Sequence, residues 1–297
     1  MKAIVYSVSA LASLALCSAA LPSCAGATLI GGARWGLFEI DLTTGLTTPI
    51  ALSSGQNIKP LNGLDYNSRD GFLYATTAPD SRLFTPRPGP WQYGYYRIDI
   101  RNRSFEALPF TGEIPDYTLD GLAYDSIRDI FWGTNLYTFE LVTLNPYSGE
   151  VNVVGRFPEL GVISGLAFDA VTDTLYGVDD YDYYENDGFS RLVTIDRSTL
   201  QLTTIGQPGL GLGLGDLDAL AFDPRQRVLY TRLDQEQPYG QLIRIDPTTG
   251  IAVAVGIPNN GYHLYHGLAF LVPEPGALAL ISLALVSLIR QKRSMDA

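Results

Sequence analysis

A five-residue phrase that ends at His266-Gly267-Leu268-Ala269-Phe270 occurs five times in this chain. The earlier copies are Asn62-Gly63-Leu64-Asp65-Tyr66, Asp120-Gly121-Leu122-Ala123-Tyr124, Ser164-Gly165-Leu166-Ala167-Phe168 and Asp218-Ala219-Leu220-Ala221-Phe222. Small residues alternate with large apolar ones in each copy, which is the period of a β-strand. The second position of each copy is Gly or Ala, and these small residues are separated by 44 to 58 residues along the chain.

Three further strand-like runs follow each of the first four copies, as in Leu73-Tyr74-Ala75, Tyr96-Arg97-Ile98-Asp99 and Gln201-Leu202-Thr203-Thr204-Ile205. Four short strands in about 50 residues is the period of a propeller blade. The chain before the first copy has three such runs without an opening phrase, and the last copy is followed by none. We therefore predict an all-β fold, a five-bladed β-propeller over residues 28–272, closed by strands from both ends. A β-sandwich or a β-solenoid is the alternative.

The composition limits the kinds of partner. The chain has 297 residues, of which 46% are hydrophobic, and its formal net charge is −11. Nucleic acid needs a basic surface, so we predict that this protein does not bind it. An acidic surface suits cations or neutral ligands. We expect a monomer.

The N-terminus has the features of a secretory signal. Lys2 precedes an apolar run over residues 4–21, and Ala25-Gly26-Ala27 is a small-residue cleavage site. We predict a signal peptide over residues 1–27. Both cysteines, Cys17 and Cys24, lie within it, so the cleaved chain would have neither a disulfide nor a thiol nucleophile. The alternative is a lipoprotein signal at Leu21-Pro22-Ser23-Cys24.

The C-terminus carries three features in a fixed order. Val272-Pro273-Glu274-Pro275-Gly276 precedes an apolar stretch over residues 277–289, and Arg290-Gln291-Lys292-Arg293 follows. As a helix, this stretch spans about 20 Å, which is short for a bilayer core of about 30 Å. The basic end indicates the cytoplasmic side.

This order of parts resembles the PEP-CTERM sorting signal of exported bacterial proteins. The resemblance covers residues 272–293 and implies a sorting signal, over residues 273–297, with a short transmembrane helix. It further implies recognition and cleavage by an exosortase, a membrane protease, with transient membrane anchoring. Export across the inner membrane, and association with exopolysaccharide at the cell surface or outside the cell, are also implied. It says nothing about the activity of the propeller.

Strand alternation predicts one ring of candidate site residues. The residue before each repeat Gly or Ala should surround the mouth of the central channel: Asn62, Asp120, Ser164, Asp218 and His266. Asp65 replaces the Ala of later copies and should place a carboxylate near the axis. Such a ring can hold a cation or supply acid and base groups. Alternatively, these residues cap strand starts and bind channel water.

The long loops at the same end predict a second candidate site. They carry the aromatic residues Trp91, Tyr93, Tyr181, Tyr183 and Tyr184 beside acidic and amide groups, a combination that suits sugars. The carboxylates of residues 179–188 leave calcium open, but the spacing of an EF-hand is absent. An ordinary solvated loop is the alternative. We predict no cofactor.

The sequence favours a binding module over an enzyme. His263 and His266 are the only histidines, and no Gly-x-Ser-x-Gly motif occurs. We predict a non-catalytic, exported propeller that binds polysaccharide or another extracellular partner. The alternatives are a glycoside hydrolase or lyase that uses Asp65, Asp120 and Asp218, and a purely structural surface protein.

Overall fold

The computed structural model describes most of the region between the two chain ends. The described residues are 28–33, 36–52, 61–77, 94–112, 119–158, 161–180, 189–213, 215, 217–233, 240–256 and 265–272. The predicted signal peptide and the sorting signal from Pro273 onward lie outside them. Within these ranges, no helix has the length and apolar character needed to cross a membrane.

The described residues form short strands and one 3₁₀ turn, Pro208–Gly211. The strands are β1 (Thr28–Ala33), β2 (Gly36–Ile40), β3 (Thr47–Ile50), β4 (Leu61–Asn67), β5 (Phe72–Thr77), β6 (Gly94–Asp99), β7 (Ser104–Leu108), β8 (Thr111–Gly112), β9 (Gly121–Asp125), β10 (Ile130–Asn135), β11 (Glu140–Leu144), β12 (Glu150–Arg156), β13 (Ile163–Asp169), β14 (Thr174–Asp179), β15 (Arg191–Ile195), β16 (Leu202–Ile205), β17 (Leu217–Asp223), β18 (Val228–Leu233), β19 (Leu242–Ile245), β20 (Ala252–Val255) and β21 (Tyr265–Leu271).

These strands make five separate sheets, each of which is one blade. Blade 1 is β4 to β7, blade 2 is β9 to β12, blade 3 is β13 to β16, and blade 4 is β17 to β20. Blade 5 has the order β21-β1-β2-β3, so both ends of the body share one sheet. The predicted five-bladed, all-β propeller is therefore confirmed.

The ring is closed by strands from the two ends of the body, as predicted. β21 and β1 are antiparallel, with Leu271 opposite Thr28 and Leu268 opposite Gly31. The five innermost strands, β4, β9, β13, β17 and β21, lie against one another in a closed circle. The last copy of the repeated phrase thus supplies the strand that the N-terminal segment lacks.

Blade 2 differs from the predicted four-strand pattern. The short strand β8 pairs in parallel with the outermost strand β12, with Thr111 opposite Glu150. The Thr111 amide also donates a hydrogen bond of 2.9 Å to the carbonyl oxygen of Gly149. An outermost strand leaves backbone groups unpaired at its edge. The chain leaving blade 1 satisfies part of that edge as it crosses to the next blade.

The hydrophobic core consists of wedges between adjacent blades. Blades 2 and 3, for example, enclose a cluster that contains Trp132, Leu166 and Phe168. Comparable clusters fill each of the other four junctions, including the one between blade 5 and blade 1 that contains Ile30 and Leu64. Every blade therefore depends on two neighbours for the burial of its faces.

The repeat glycines allow these wedges to close. An added Cβ at Gly63 would lie 2.8 Å from the Leu122 Cβ, and one at Gly267 would lie 2.6 Å from the Leu64 Cβ. At Gly165 the nearest atoms are the backbone carbon of Ala219, at 2.5 Å, and the backbone nitrogen of Leu220, at 2.7 Å. Backbone atoms cannot rotate away, so this junction tolerates no side chain.

We expect Gly165→Ala to lower the free energy of unfolding by roughly 3 kcal/mol, because overpacking forces a shift of backbone. Gly32→Ala is the matched control, since its added Cβ would meet only leucine side-chain atoms at 3.1 Å and beyond. Urea unfolding of both variants measures the difference. Equal losses in the two would contradict the role assigned to the junction between blades 3 and 4.

Candidate functional site

The candidate site lies where the innermost strands begin, at the end of the propeller called the top. Asn62, Ser164, Asp218 and His266 each stand in the first two residues of an innermost strand, and Asp120 directly precedes the fifth. Because the five strands surround the axis, these residues form one ring, the channel-mouth ring. The structure thus brings these five positions to the same end of the innermost strands, and their role in binding a ligand stays a prediction.

Four members of the ring form two polar pairs. The Asn62 side-chain amide donates a hydrogen bond of 2.6 Å to Asp120 Oδ1. His266 Nδ1 lies 2.7 Å from Asp218 Oδ2. Each pair joins adjacent blades, the first across blades 1 and 2 and the second across blades 4 and 5. All four side chains are partly buried.

Ser164, the fifth member, has a different environment. Its side chain is buried, and its Oγ lies 2.5 Å from Asp180 Oδ2 and 2.8 Å from the carbonyl oxygen of Leu217. Asp180 is itself 4% exposed and belongs to the 179–188 loop for which calcium was left open. Ser164 therefore joins blades 3 and 4, as a strand cap would. The contacts of Ser164 therefore fit the alternative interpretation, a cap on a strand start, better than a role in binding a ligand.

Two threonines, which are not members of the channel-mouth ring, also bond a backbone carbonyl oxygen of the next blade. The Thr76 hydroxyl donates to the carbonyl oxygen of Leu119 at 2.7 Å, and the Thr134 hydroxyl donates to that of Ile163 at 2.8 Å. Both occupy the same place in the second strand of their blades. The sequence analysis did not identify them, although Thr at matched positions of two repeats was a usable signal.

In blade 4 the equivalent residue is Arg232. Its side chain is 2% exposed, and its guanidinium donates a hydrogen bond to the carbonyl oxygen of Gly240. It stands opposite Asp218 in the register of β17 and β18. A buried arginine thus lies beside one of the two polar pairs. Nothing in the repeat pattern indicated it.

The backbone next to Asp218 is also unusual. Ala219 has a φ of 64°, in the left-handed region that costs a residue with a side chain about 1–2 kcal/mol. The register between β17 and β18 shifts at this point, between Asp218 and Ala221. Strained backbone of this kind concentrates at functional sites.

Asp65 does not belong to the channel-mouth ring. It lies three residues further along β4, where its Oδ1 accepts a hydrogen bond of 2.8 Å from the Tyr66 amide. Its Oδ2 accepts one of 2.6 Å from the Tyr124 amide of blade 2. Burial raises the pKa of Asp65 to about 7, although both amides act in the opposite direction. Asp65 thus ties two innermost strands together.

The two polar pairs interact electrostatically. Burial raises the pKa of Asp120 to about 7, and the charge of Asp218 raises it further. The hydrogen bond from Asn62 and the charge of His266 oppose this change. Asp120 is therefore within reach of the charges on both members of the second pair. A carboxyl group that titrates near neutrality can donate or accept a proton at ordinary pH.

The remaining candidates fall outside the described residues. These are Trp91, Tyr93, Tyr181, Tyr183 and Tyr184, and all of the sorting signal except Val272. Among the residues that the structure describes, no three His, Cys, Asp or Glu side chains group as ligands for a metal ion. The loop for which calcium was left open lies mostly beyond those residues.

Comparisons with known proteins show the fold and no family. No family model and no curated protein matches the chain. A chain in the crystal structure of a nidogen/laminin complex is similar with a TM-score of 0.54 and 12% identity, over 84% of this chain and 100% of that one.

Two further solved structures are similar. A protein of unknown function from Bacteroides thetaiotaomicron has a TM-score of 0.53 and 10% identity, over 82% of this chain and 61% of its own. A gluconolactonase from Xanthomonas campestris has a TM-score of 0.46 and 16% identity, over 69% of this chain and 65% of its own. At such identities, the first two similarities confirm a propeller and nothing finer.

The raised pKa of Asp65 predicts a pH dependence of stability. The folded state holds this proton more tightly than the unfolded chain, so the contribution is complete below about pH 4 and is lost as the pH rises through 7. The Asp120 carboxyl adds a change of the same sign. We therefore expect these two carboxyl groups to make the free energy of unfolding larger at pH 5 than at pH 8.

Asp65→Asn removes one of the two titrations, so the difference between pH 5 and pH 8 should shrink. Urea unfolding of the variant and the parent at both pH values measures it. An unchanged difference in Asp65→Asn would show that this carboxyl group does not titrate in the folded protein as the structure requires.

Proposed function

We propose that this protein is an exported, surface-associated propeller that binds polysaccharide or another extracellular partner through its top face. The observation that carries this proposal is the channel-mouth ring, with its pairs Asn62–Asp120 and Asp218–His266. Each pair sets a hydrogen-bond donor beside a carboxylate acceptor. Sugar hydroxyl groups both donate and accept, so adjacent hydroxyls match such pairs.

The scaffold supports binding at this place. The pairs lie at the starts of innermost strands, and each of these strands packs against the neighbouring blade on either side. Rigid elements of this kind position polar groups better than free loops do. The long loops that carry Trp91 and Tyr183 start from the same end of the blades. Their aromatic rings would supply the apolar contact that a sugar ring face needs.

The route of the protein is proposed from its chain ends. The residues that resemble the PEP-CTERM signal support export and transient anchoring by the tail. They also support processing by an exosortase and delivery to exopolysaccharide at the cell surface. The cation-free binding mode is the simplest form of the proposal, and a calcium ion in the 179–188 loop would be an addition to it.

We expect the protein to be retained on exopolysaccharide, and Asp218→Asn or His266→Gln to weaken retention by at least about tenfold. This is the loss of one hydrogen bond to a charged group, about 1.5 kcal/mol or more. Asp246→Asn is the matched control, because Asp246 caps an exposed turn at the opposite end of blade 4. Affinity electrophoresis on the neutral and acidic fractions measures retention.

Equal retention of all three variants would contradict binding at the channel-mouth ring. Absence of retention in the parent protein would favour the purely structural alternative.

One observation favours a hydrolase or lyase as a second candidate. Asp120, with a pKa raised by burial to about 7, could protonate a leaving group. The Asp218–His266 pair could accept a proton from water. New reducing ends in the polysaccharide after incubation with the parent protein, absent with Asp120→Asn, would replace the binding role by this one.

A further inference from the structure

A cleft opens between blades 2 and 3 at the end of the propeller opposite the channel mouth. Its volume is about 630 Å³, and small-molecule sites have volumes of about 300–1,000 Å³. Arg128 and Trp132 of blade 2 line one side, and blade 3 lines the other with residues that include Asp173 and Arg197. The cleft shares no residue with the channel-mouth ring.

The two arginines converge on Asp173. Arg128 Nη1 lies 2.7 Å from Asp173 Oδ1, and Arg128 Nη2 lies 2.9 Å from Oδ2. Arg197 Nη2 lies 3.0 Å from the same Oδ2. Hydrogen bonds from both arginines hold the pKa of Asp173 well below its usual range. Asp173 therefore stays a carboxylate, and it joins blade 3 to the arginine of blade 2.

The buried carboxylate of Asp125 holds these groups in place from behind. Its Oδ2 accepts hydrogen bonds from Arg128 Nη1 at 2.7 Å and from Trp132 Nε1 at 3.1 Å. The Arg197 guanidinium lies 5.5 Å from the centre of the Trp132 ring, in the range of a cation–π contact. The polar groups of the cleft are thus oriented by the protein itself, which lowers the entropy cost of binding a ligand.

The charges of the cleft disfavour an ionic ligand. Arg128, Arg197, Asp173 and Asp196 line it, so its charges balance, and Asp125 adds a further negative charge behind the lining. Asp173 already occupies the position between the two arginines that a carboxylate or sulfate group of a ligand would take. The same two arginines repel an ammonium group. We therefore expect an uncharged ligand.

The hydrogen-bonding groups favour a ligand that is rich in hydroxyl groups. Arginine only donates hydrogen bonds and a carboxylate only accepts them, whereas a hydroxyl does both. Arg128 has five N–H groups, and three hydrogen bonds to Asp125 and Asp173 occupy part of them. The side chains of Arg128 and Asp173 are 39% and 42% exposed, so both can contact a ligand.

The apolar residues of the lining argue against a peptide. Trp132, Leu175 and Ile195 are all buried, so they offer no apolar pocket for a peptide side chain. Adjacent hydroxyl groups of a sugar ring instead match the neighbouring donors and acceptors of Arg128 and Asp173.

We propose that this cleft is a second saccharide site, which binds an uncharged oligosaccharide through Arg128, Asp173 and Arg197. With the channel mouth at the other end, one propeller then holds two polysaccharide segments and crosslinks them. Two sites on one rigid body also retain a polymer more strongly than either site alone. The crosslinking rests on the proposed function, whereas the cleft depends on residues outside the channel-mouth ring.

Nuclear magnetic resonance of the tryptophan indole groups tests the cleft. The chain has three tryptophans, and Trp132→Phe assigns the signal of the indole N–H that Asp125 accepts. Neutral oligosaccharides, released from the exopolysaccharide by partial hydrolysis, are titrated into the protein, and the acidic oligosaccharides are titrated in parallel.

Two variants change the cleft, and a third is the control. Asp173→Asn removes the acceptor carboxylate. Thr203→Trp fills the cleft from an exposed position of β16, so it leaves the fold intact even if Asp173→Asn loosens the junction between the blades. Thr204→Trp is the matched control, because Thr204 is the next residue of the same strand, is also exposed and does not line the cleft.

We expect neutral oligosaccharides to shift the Trp132 signal in the parent protein and in Thr204→Trp. Their affinity should fall at least about tenfold in Asp173→Asn, which loses a hydrogen bond to a charged group, and in Thr203→Trp, which loses the space. Acidic oligosaccharides should bind at least about tenfold more weakly than neutral ones.

An unmoved Trp132 signal, equal affinities in Thr203→Trp and Thr204→Trp, or tighter binding of the acidic oligosaccharides would overturn the inference. Asp218→Asn and His266→Gln separate it from the proposed function, because they should weaken retention on exopolysaccharide and leave the Trp132 titration unchanged. Retention that depends on the channel-mouth ring, without a shift of the Trp132 signal, would leave the proposed function standing without a second site.

Discussion

Close approach of the innermost strands is the constraint on which this structure depends. Each of these strands turns a small residue toward a leucine or the backbone of the next blade. At Gly121, for example, an added Cβ would come within 2.9 Å of the Leu166 side chain. The apolar wedges between blades, which provide the burial, extend outward from these contacts. Because the contacts run in a circle, no blade can be removed without exposing two apolar faces.

The same contacts determine where function can reside. Strands that start side by side around an axis bring their first residues together, although those residues are far apart in sequence. Asp218 and His266 are 48 positions apart and meet at 2.7 Å. The opposite end of the strands holds the chain ends and a network of ion pairs. The fold thus separates a polar mouth from the face at which the tail is attached.

Most of the fold was predictable from the sequence, because alternating small and large residues have one simple packing solution in a ring. The closure by β21 and β1 followed from a missing strand at one end and a spare one at the other. β8 was not predictable in this way, since two residues beside an edge strand carry no periodic signal. The positive φ of Ala219 was not predictable either, because Ala and Gly both fit the small position of the repeated phrase.

The candidate site was predictable as a set of positions and not as a set of contacts. Repeat alignment identified the five residues of the channel-mouth ring. It did not show that Asn62 bonds Asp120 while Ser164 turns to Asp180 and the Leu217 carbonyl. These hydrogen-bond partners depend on side-chain geometry between blades, which strand periodicity does not determine. Asp65 shows the same limit, because its position near the axis was evident and its two backbone partners were not.

Ring closure is tested most directly by a disulfide between the two ends of the body. With Cys17 and Cys24 replaced by serine, Thr28→Cys and Leu271→Cys would stand opposite each other at a Cα separation of about 5 Å, within disulfide range. We predict that mild oxidation of the native protein forms this crosslink. The control pair of Thr28→Cys and Thr203→Cys, which joins blade 5 to the outermost strand of blade 3, should stay reduced. Absence of the first crosslink, or equal formation of both, would contradict a propeller closed by strands from its two ends.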